Sequence, residues 1–226
     1  MRRKKGFFWN IVLVVLVIFL AAELLLPRLA SRQLAEILRR ETEQIESLKI
    51  AVSSFPAPEI LLGRLDFVEI KAAGVIVEGL YLDSLSVEYR DIILRGHSFT
   101  GDNTFLEILV KEEGLNQYIQ TKYPELKDFK LVLLPGQVLL GGVINFLEAT
   151  INLQLTGRLF ITEQAEVEFI PENLQVEDVQ IPVNLIRKYV NQPGFSFDLK
   201  ELAIPLRIDR IEVSTGELRI IGEKSR

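Results

Sequence analysis

The hydrophobic pattern changes twice along this 226-residue chain. Ile11 to Ala22 is an unbroken apolar run, and if Phe7 to Leu26 is one helix, only Asn10 and Glu23 are polar inside it. At ~1.5 Å per residue such a helix is roughly 30 Å long, the thickness of a bilayer core. From Pro27 to about Leu48 the spacing is that of an amphipathic helix. Leu34, Ile37, Leu38, Ile45 and Leu48 recur on one side, and Arg39, Arg40, Glu41, Glu43 and Glu46 cover the rest. This predicts a helix that continues the first one and packs on a folded domain. Ser53–Pro58, with Pro56 and Pro58, breaks it.

Beyond the break the period is two. Leu85, Val87 and Tyr89 alternate with polar residues, as do Ile151, Leu153 and Leu155, and Leu202, Ile204, Leu206 and Ile208. That alternation predicts strands with one apolar face. The sequence predicts two short helices, Glu112 to about Lys122 and Val183 to about Asn191, and a strand over Thr104–Val110. One hairpin is expected from Val167–Pro171 and Leu174–Ile181 with Glu172–Asn173 as its turn, and another from Ile208–Ser214 and Glu217–Ile221 around Thr215–Gly216. Long helical crossovers are missing, so the connections are expected to be antiparallel.

Charge gives the apolar run a direction. Arg2, Arg3, Lys4 and Lys5 precede it, which puts that end in the cytoplasm and everything after Leu26 outside the cytoplasmic membrane. A cleaved signal peptide is the competing reading, with Ala22 before the cut, but Leu20 fits the position two residues earlier badly. The expected division is therefore residues 1–26 as a basic tip with a single-pass anchor, or signal peptide, and 27–226 as an extracytoplasmic domain. After Lys5 the chain holds 22 basic and 31 acidic residues. Such an acidic body argues against nucleic acid as a partner and against a basic surface gripping anionic headgroups.

Little chemistry is available. There is no Cys, hence no disulfide and no thiol, and His97 is the single histidine, expected in an exposed turn. A multi-histidine metal site is excluded, a histidine-based triad would have to use His97, and neither a P-loop nor G-x-G-x-x-G nor G-x-S-x-G occurs. Asp66 and Glu69, Glu163 and Glu166, and Glu177 and Asp178 are the closest carboxylate pairs, all expected on solvated strands or turns. No enzyme, cofactor or metal is predicted.

The run Leu61-Leu62-Gly63-Arg64-Leu65-Asp66-Phe67-Val68 leads into Gly74-Val75, Gly79-Leu80, Leu82-Asp83-Ser84-Leu85 and Tyr89-Arg90-Asp91-Ile92. In order and spacing it resembles the LmeA-like phospholipid-binding family of the bacterial cell envelope. Glu112-Glu113-Gly114-Leu115-Asn116-Gln117-Tyr118 is similar to that family's acidic-LN-x-Y helix start, and Pro171–Ile181 and Leu206–Gly222 to its closing segment. The resemblance covers roughly Pro27 to Gly222. It implies an α+β fold in which a curved, mostly antiparallel sheet wraps a long helix, similar to tubular lipid-binding domains. It implies a membrane lipid as partner and transfers no catalytic residue. The family's founding members are exported, whereas this chain carries a tether, so their lipid is not carried over.

A twisted sheet with one apolar face must cover that face, and acyl chains can do part of it at about 0.8 kcal/mol per buried CH₂. Phe195, Phe197, Leu199, Leu202, Ile204 and Leu206, beside Leu185 and Tyr189, are the expected groove lining. Ordinary core packing is the other reading of each. Two rival functions remain at this level: a structural or partner-binding envelope protein with a filled core, and a carboxylate hydrolase.

Overall fold

Apolar residues with nothing to pack against dominate the first element. In the computed structural model, which describes residues 3–42, 44–95, 98–101, 103–146, 149–162, 166–177, 179–182, 195–199 and 207–223, helix α1 runs from Arg3 to Glu41. Trp9, Ile11 to Leu20, Leu24 and Leu25 are all exposed. A helix that is apolar all round and bare is made for lipid. The helix continues through Pro27, whose missing N–H removes one helical bond. From Ala22 onward a stripe at helical spacing becomes covered, with Ala30 and Leu38 buried and Leu34 packed on the core.

Then come β1 (Gln44–Ser53), a 3-10 helix at Ala57–Leu62, β2 (Arg64–Val77), β3 (Leu80–Arg95), β4 (Ser98–Thr100) and β5 (Asn103–Lys111). Helix α2 (Glu112–Lys122) precedes a 3-10 turn at Pro124–Leu126, β6 (Phe129–Leu134), β7 (Gln137–Phe146), β8 (Ala149–Ile161) and β9 (Glu166–Val176). β10 (Val179–Pro182), β11 (Ser196–Asp198), β12 (Arg210–Ser214) and β13 (Glu217–Glu223) complete the described elements. The strands divide into two antiparallel sheets. One has the order β1-β2-β3-β5-β13-β12, with β4 on β3; the other has β10-β9-β8-β7-β6, with β11 on β9.

The first sheet switches faces twice. On β2 the buried residues run Leu65, then Val68, Ile70, Ala72, then Val75, Val77; on β3 they run Leu80, Leu82, then Leu85, Val87, Tyr89, then Ile92. Each step of three falls where one facing pair drops out of an otherwise constant register, Asp66 opposite Asp91 and Gly74 opposite Asp83. Each such pair contains a left-handed residue, Asp91 at φ 52° or Gly74 at φ 61°. Gly74 suits its place because its φ of 61° strains residues with a Cβ, and an added Cβ would also displace the exposed Glu46 side chain. The switches re-aim the inner face and bend the sheet. They also turn Asp66 and Asp83 outward to bond neighbouring backbone: Asp66 Oδ2 accepts the Phe55 N–H at 2.7 Å and Asp83 Oδ2 the Lys111 N–H at 2.9 Å.

Two expected boundaries are corrected. The amphipathic helix does not reach Leu48: it ends at Glu41, and Gln44 onward is strand. Ile45 and Leu48 are three apart because the inner face switches between them, at Glu46 opposite Gly74, so a bent strand mimics helical spacing. The expected turn at Glu172–Asn173 is also absent, since β9 runs through it and turns at Glu177. There the turn-favouring residues form a β-bulge: Thr156 pairs with Asn173 and Gly157 with Pro171, leaving Glu172 over. Pro171 falls between the stretches of β9 paired to β11 and β10, so its missing N–H breaks no ladder bond on that edge. The strand over Thr104–Val110, α2 and the hairpin around Thr215–Gly216 are found as expected. The expected helix over Val183–Asn191 and the turn at His97 lie outside the described residues.

α2 joins the two sheets. Its Asn116 Oδ1 accepts the Leu131 N–H and Asn116 Nδ2 donates to Leu131 O, both at 2.8 Å, while Glu112 Oε2 accepts the Leu133 N–H at 2.8 Å. The helix thereby supplies hydrogen bonds to the open edge of β6 that another strand would otherwise make. The turn after β6 docks on the β12–β13 turn, with Gly136 N–H donating to Val213 O at 2.9 Å and Gly216 N–H to Leu133 O at 3.2 Å. Gly114 lets α2 approach β3: a Cβ there would sit 2.9 Å from Tyr81 O. Thus the acidic-LN-x-Y segment is occupied with assembly rather than chemistry.

Candidate functional site

The inner face of the second sheet is apolar throughout its centre. Leu131, Leu133, Val138, Leu140, Leu155, Val167 and Phe169 are all buried there. β11 closes against it. Phe195 stacks on Phe169 with centroids 5.4 Å apart, and its carbonyl accepts the Phe169 N–H at 3.0 Å. Phe197 meets Tyr118 edge-on at 6.2 Å. Two hydroxyls from the α2 end hold the backbone between them. Tyr118 and Tyr123 both donate to Ser196 O, at 3.0 and 2.9 Å, and the Tyr123 oxygen accepts the Ser196 N–H at 3.1 Å.

Burial pushes the Tyr118 hydroxyl above its ordinary titration range, against the pull of the nearby Lys122 ammonium. Lys122 is itself held charged to unusually high pH, first by its 2.6 Å hydrogen bond to Glu78 Oε2 and then by Tyr118. Tyr118 is therefore a donor at neutral pH, not a base.

Of the eight residues expected to line a groove, the structure brings Phe195, Phe197 and Leu199 together in this buried cluster. Leu185, Tyr189, Leu202, Ile204 and Leu206 lie outside the described residues.

A second apolar place escaped the sequence reading. Between the end of α1 and the first sheet runs a seam lined by Leu38, Thr42, Ile45, Leu48, Ile70, Ala72, Val75 and Leu85. Its open space is about 10 Å³, room for one water at most. An acyl chain enters it only if α1 lifts from the sheet. Leu34 and Leu38 were legible as a packing face, whereas Ile37, expected beside them, is exposed, and assigning Ile45 and Leu48 to the helix hid that they form the opposite wall.

The polar clefts carry structural bonds. One of about 420 Å³ beside α2 is lined by Glu112, Glu113, Asn116, Gln120, Lys127, Asp128, Phe129 and Lys130, and its Glu112 and Asn116 are bonded to β6. Another, of about 280 Å³ over β7 and β8, includes Glu177, whose Oε1 accepts the Asn152 N–H at 2.7 Å. Among the carboxylates considered from sequence, Asp66 bonds the Phe55 N–H and Glu69 pairs with Lys71; Glu163 and Asp178 lie outside the described residues. Among the described residues no three His, Asp or Glu side chains gather in a way that could hold a metal ion.

The family model for LmeA-like phospholipid-binding proteins matches residues 21–223, most of the chain, and the chain belongs to that family. No curated protein and no solved structure matches it.

Proposed function

We propose that this member of the family is a membrane-tethered, non-catalytic domain that takes acyl chains from the extracytoplasmic leaflet into its apolar interior and serves envelope lipid handling. The observation that carries the reading is the extent of the family match. It begins at residue 21, where α1 starts to be covered, and takes in the packed half of that helix together with both sheets. The lipid-binding unit in this reading thus includes the helix–sheet seam.

The basic residues before the apolar run favour the cytoplasm for the N-terminus, which leaves the domain on the far side of a single span. Two linings are available to lipid. One is the seam under Leu38, and the other is the face of Phe195, Phe197 and Leu199. Ten methylenes held in the interior would cost about 8 kcal/mol to return to water, so a chain taken from the leaflet would be retained against escape into solvent. No charged clamp is needed, in keeping with an acidic body.

The near-closure of the seam favours one alternative, a structural envelope protein whose interior stays filled. A phospholipid carrying a diazirine in its acyl chain separates the two. With the full chain in vesicles, irradiation is expected to label peptides holding Leu38, Ile45–Leu48 or Phe195–Leu199. Labelling confined to Trp9–Leu29 would reject lipid uptake and favour the filled protein.

A further inference from the structure

The anchor and the folded domain overlap along α1. The apolar run Phe7–Leu26 holds 20 residues, about the number needed to cross a bilayer core. Yet the domain already covers the helix from Ala22. Up to Ala21 the run is only 15 residues, or roughly 22 Å, too short to cross. Part of the domain must therefore sit at the level of the last turn of the span.

That part is the loop Phe55–Leu62. Glu23, an acidic residue inside the apolar run, accepts the Ala57 N–H at 2.9 Å and fixes the loop beside the helix, with Ala57 fully buried. The side chains that point away are large and apolar: Phe55, Leu61 and Leu62 are 79%, 73% and 75% exposed. At the same level Leu24, Leu25 and Leu29 are exposed on the helix. The N–H groups at both ends of the loop are already satisfied. Asp66 takes the Phe55 N–H, Pro56 O the Glu59 N–H and Ile60 O the Gly63 N–H, while Pro56 and Pro58 have no N–H to satisfy. The one charged side chain, Glu59, is half-buried. A segment with paired backbone and bare apolar tips can enter the headgroup–acyl boundary without the cost of unsatisfied polar groups.

We propose that Phe55–Leu62 is a second membrane contact, seated in the extracytoplasmic leaflet beside the anchor, with Phe55, Leu61 and Leu62 in the acyl boundary. This rests on the reading of the first half of α1 as a membrane span. With the helix it makes two points of attachment, which fix the tilt of the domain and hold the covered start of α1 against the leaflet.

The test uses the full chain in phosphatidylcholine–phosphatidylglycerol vesicles containing lipids brominated near the headgroup end of the acyl chain. Trp9→Phe removes the native indole, and Phe55→Trp or Leu62→Trp places one in the loop; both sites are exposed, so either variant keeps the fold. Emission shifted to shorter wavelength and loss of intensity to the bromines are expected at both positions. Water-like emission without loss at both overturns the proposal. The unaltered chain's Trp9 reports the anchor separately: quenching there with an unquenched loop sinks the loop alone, and no quenching at either sinks both readings. A quenched loop with an unquenched Trp9 upholds the loop and overturns the span.

Discussion

Asn116 makes a two-way hydrogen bond with the backbone of Leu131, accepting its N–H and donating to its carbonyl, both at 2.8 Å. The amide reproduces the pattern of a neighbouring strand, and its Nδ2 also reaches Glu112 O at 2.9 Å. Asn116→Leu keeps the volume and strands both backbone groups. A loss of about 2–4 kcal/mol is expected, read as a lower denaturant midpoint of the sheet signal for the full chain in micelles. Gln117→Leu, one residue on and exposed, is expected to stay within about 0.5 kcal/mol.

Asp91 is a non-glycine residue at φ 52°, at the point where the inner face of β3 switches. Because it is exposed, backbone strain is separable from burial. Asp91→Gly should be neutral or stabilise by up to about 1 kcal/mol, and Asp91→Val should cost about 1–3 kcal/mol. Thermal unfolding of the two variants checks the order; the reverse order would mean that the left-handed turn is not what this position selects.

Tyr123 both donates to and accepts from Ser196, and Tyr118 donates to the same carbonyl. Tyr123→Phe should cost about 1–2 kcal/mol and speed hydrogen exchange at the Ser196 amide. Tyr118→Phe keeps the edge contact with Phe197 and should cost less, with little change at that amide. If β11 borders bound lipid, labelling of Phe195–Leu199 by the diazirine lipid should change more in Tyr123→Phe than in Tyr118→Phe.

Alkali should unfold the domain from about pH 10 upward. Burial raises the Tyr89 hydroxyl far above its ordinary value, and Glu78 raises Lys122. Unfolded tyrosine and lysine titrate near ~10 and ~10.4. A raised folded value gives stability that is complete below the unfolded value and lost as pH climbs through the folded one. Stability should therefore not fall on these groups' account between pH 6 and 9 and should decline above pH 10. Tyr89→Phe, followed by unfolding midpoints from pH 8 to 11.5, should flatten that decline.

The residues that made the family resemblance legible turn out to be architectural. Asp66 and Asp83 bond backbone beside the two face switches, Asp91 turns left-handed, and Glu112 and Asn116 hold the edge of β6. The structure buries Phe195, Phe197 and Leu199, all three of which were legible as groove lining or core. Their partners Phe169, Tyr118 and Ser196 were not, because stacking and hydroxyl bonds across 73 or 78 residues leave no mark in local period.

By itself the sequence determined the apolar run with its basic tip, the strand-rich domain, the absence of cysteine and the family. These follow from composition and short-range period, which a chain displays before it folds. Only the tertiary structure decided that Ile45 and Leu48 belong to a bent strand, that the strands form two sheets joined by α2, and that Glu23 ties Phe55–Leu62 to the end of the apolar run. Each depends on register, on left-handed residues that shift a face by one, or on a bond between distant segments. Those are properties of paired backbones, not of any single stretch of chain.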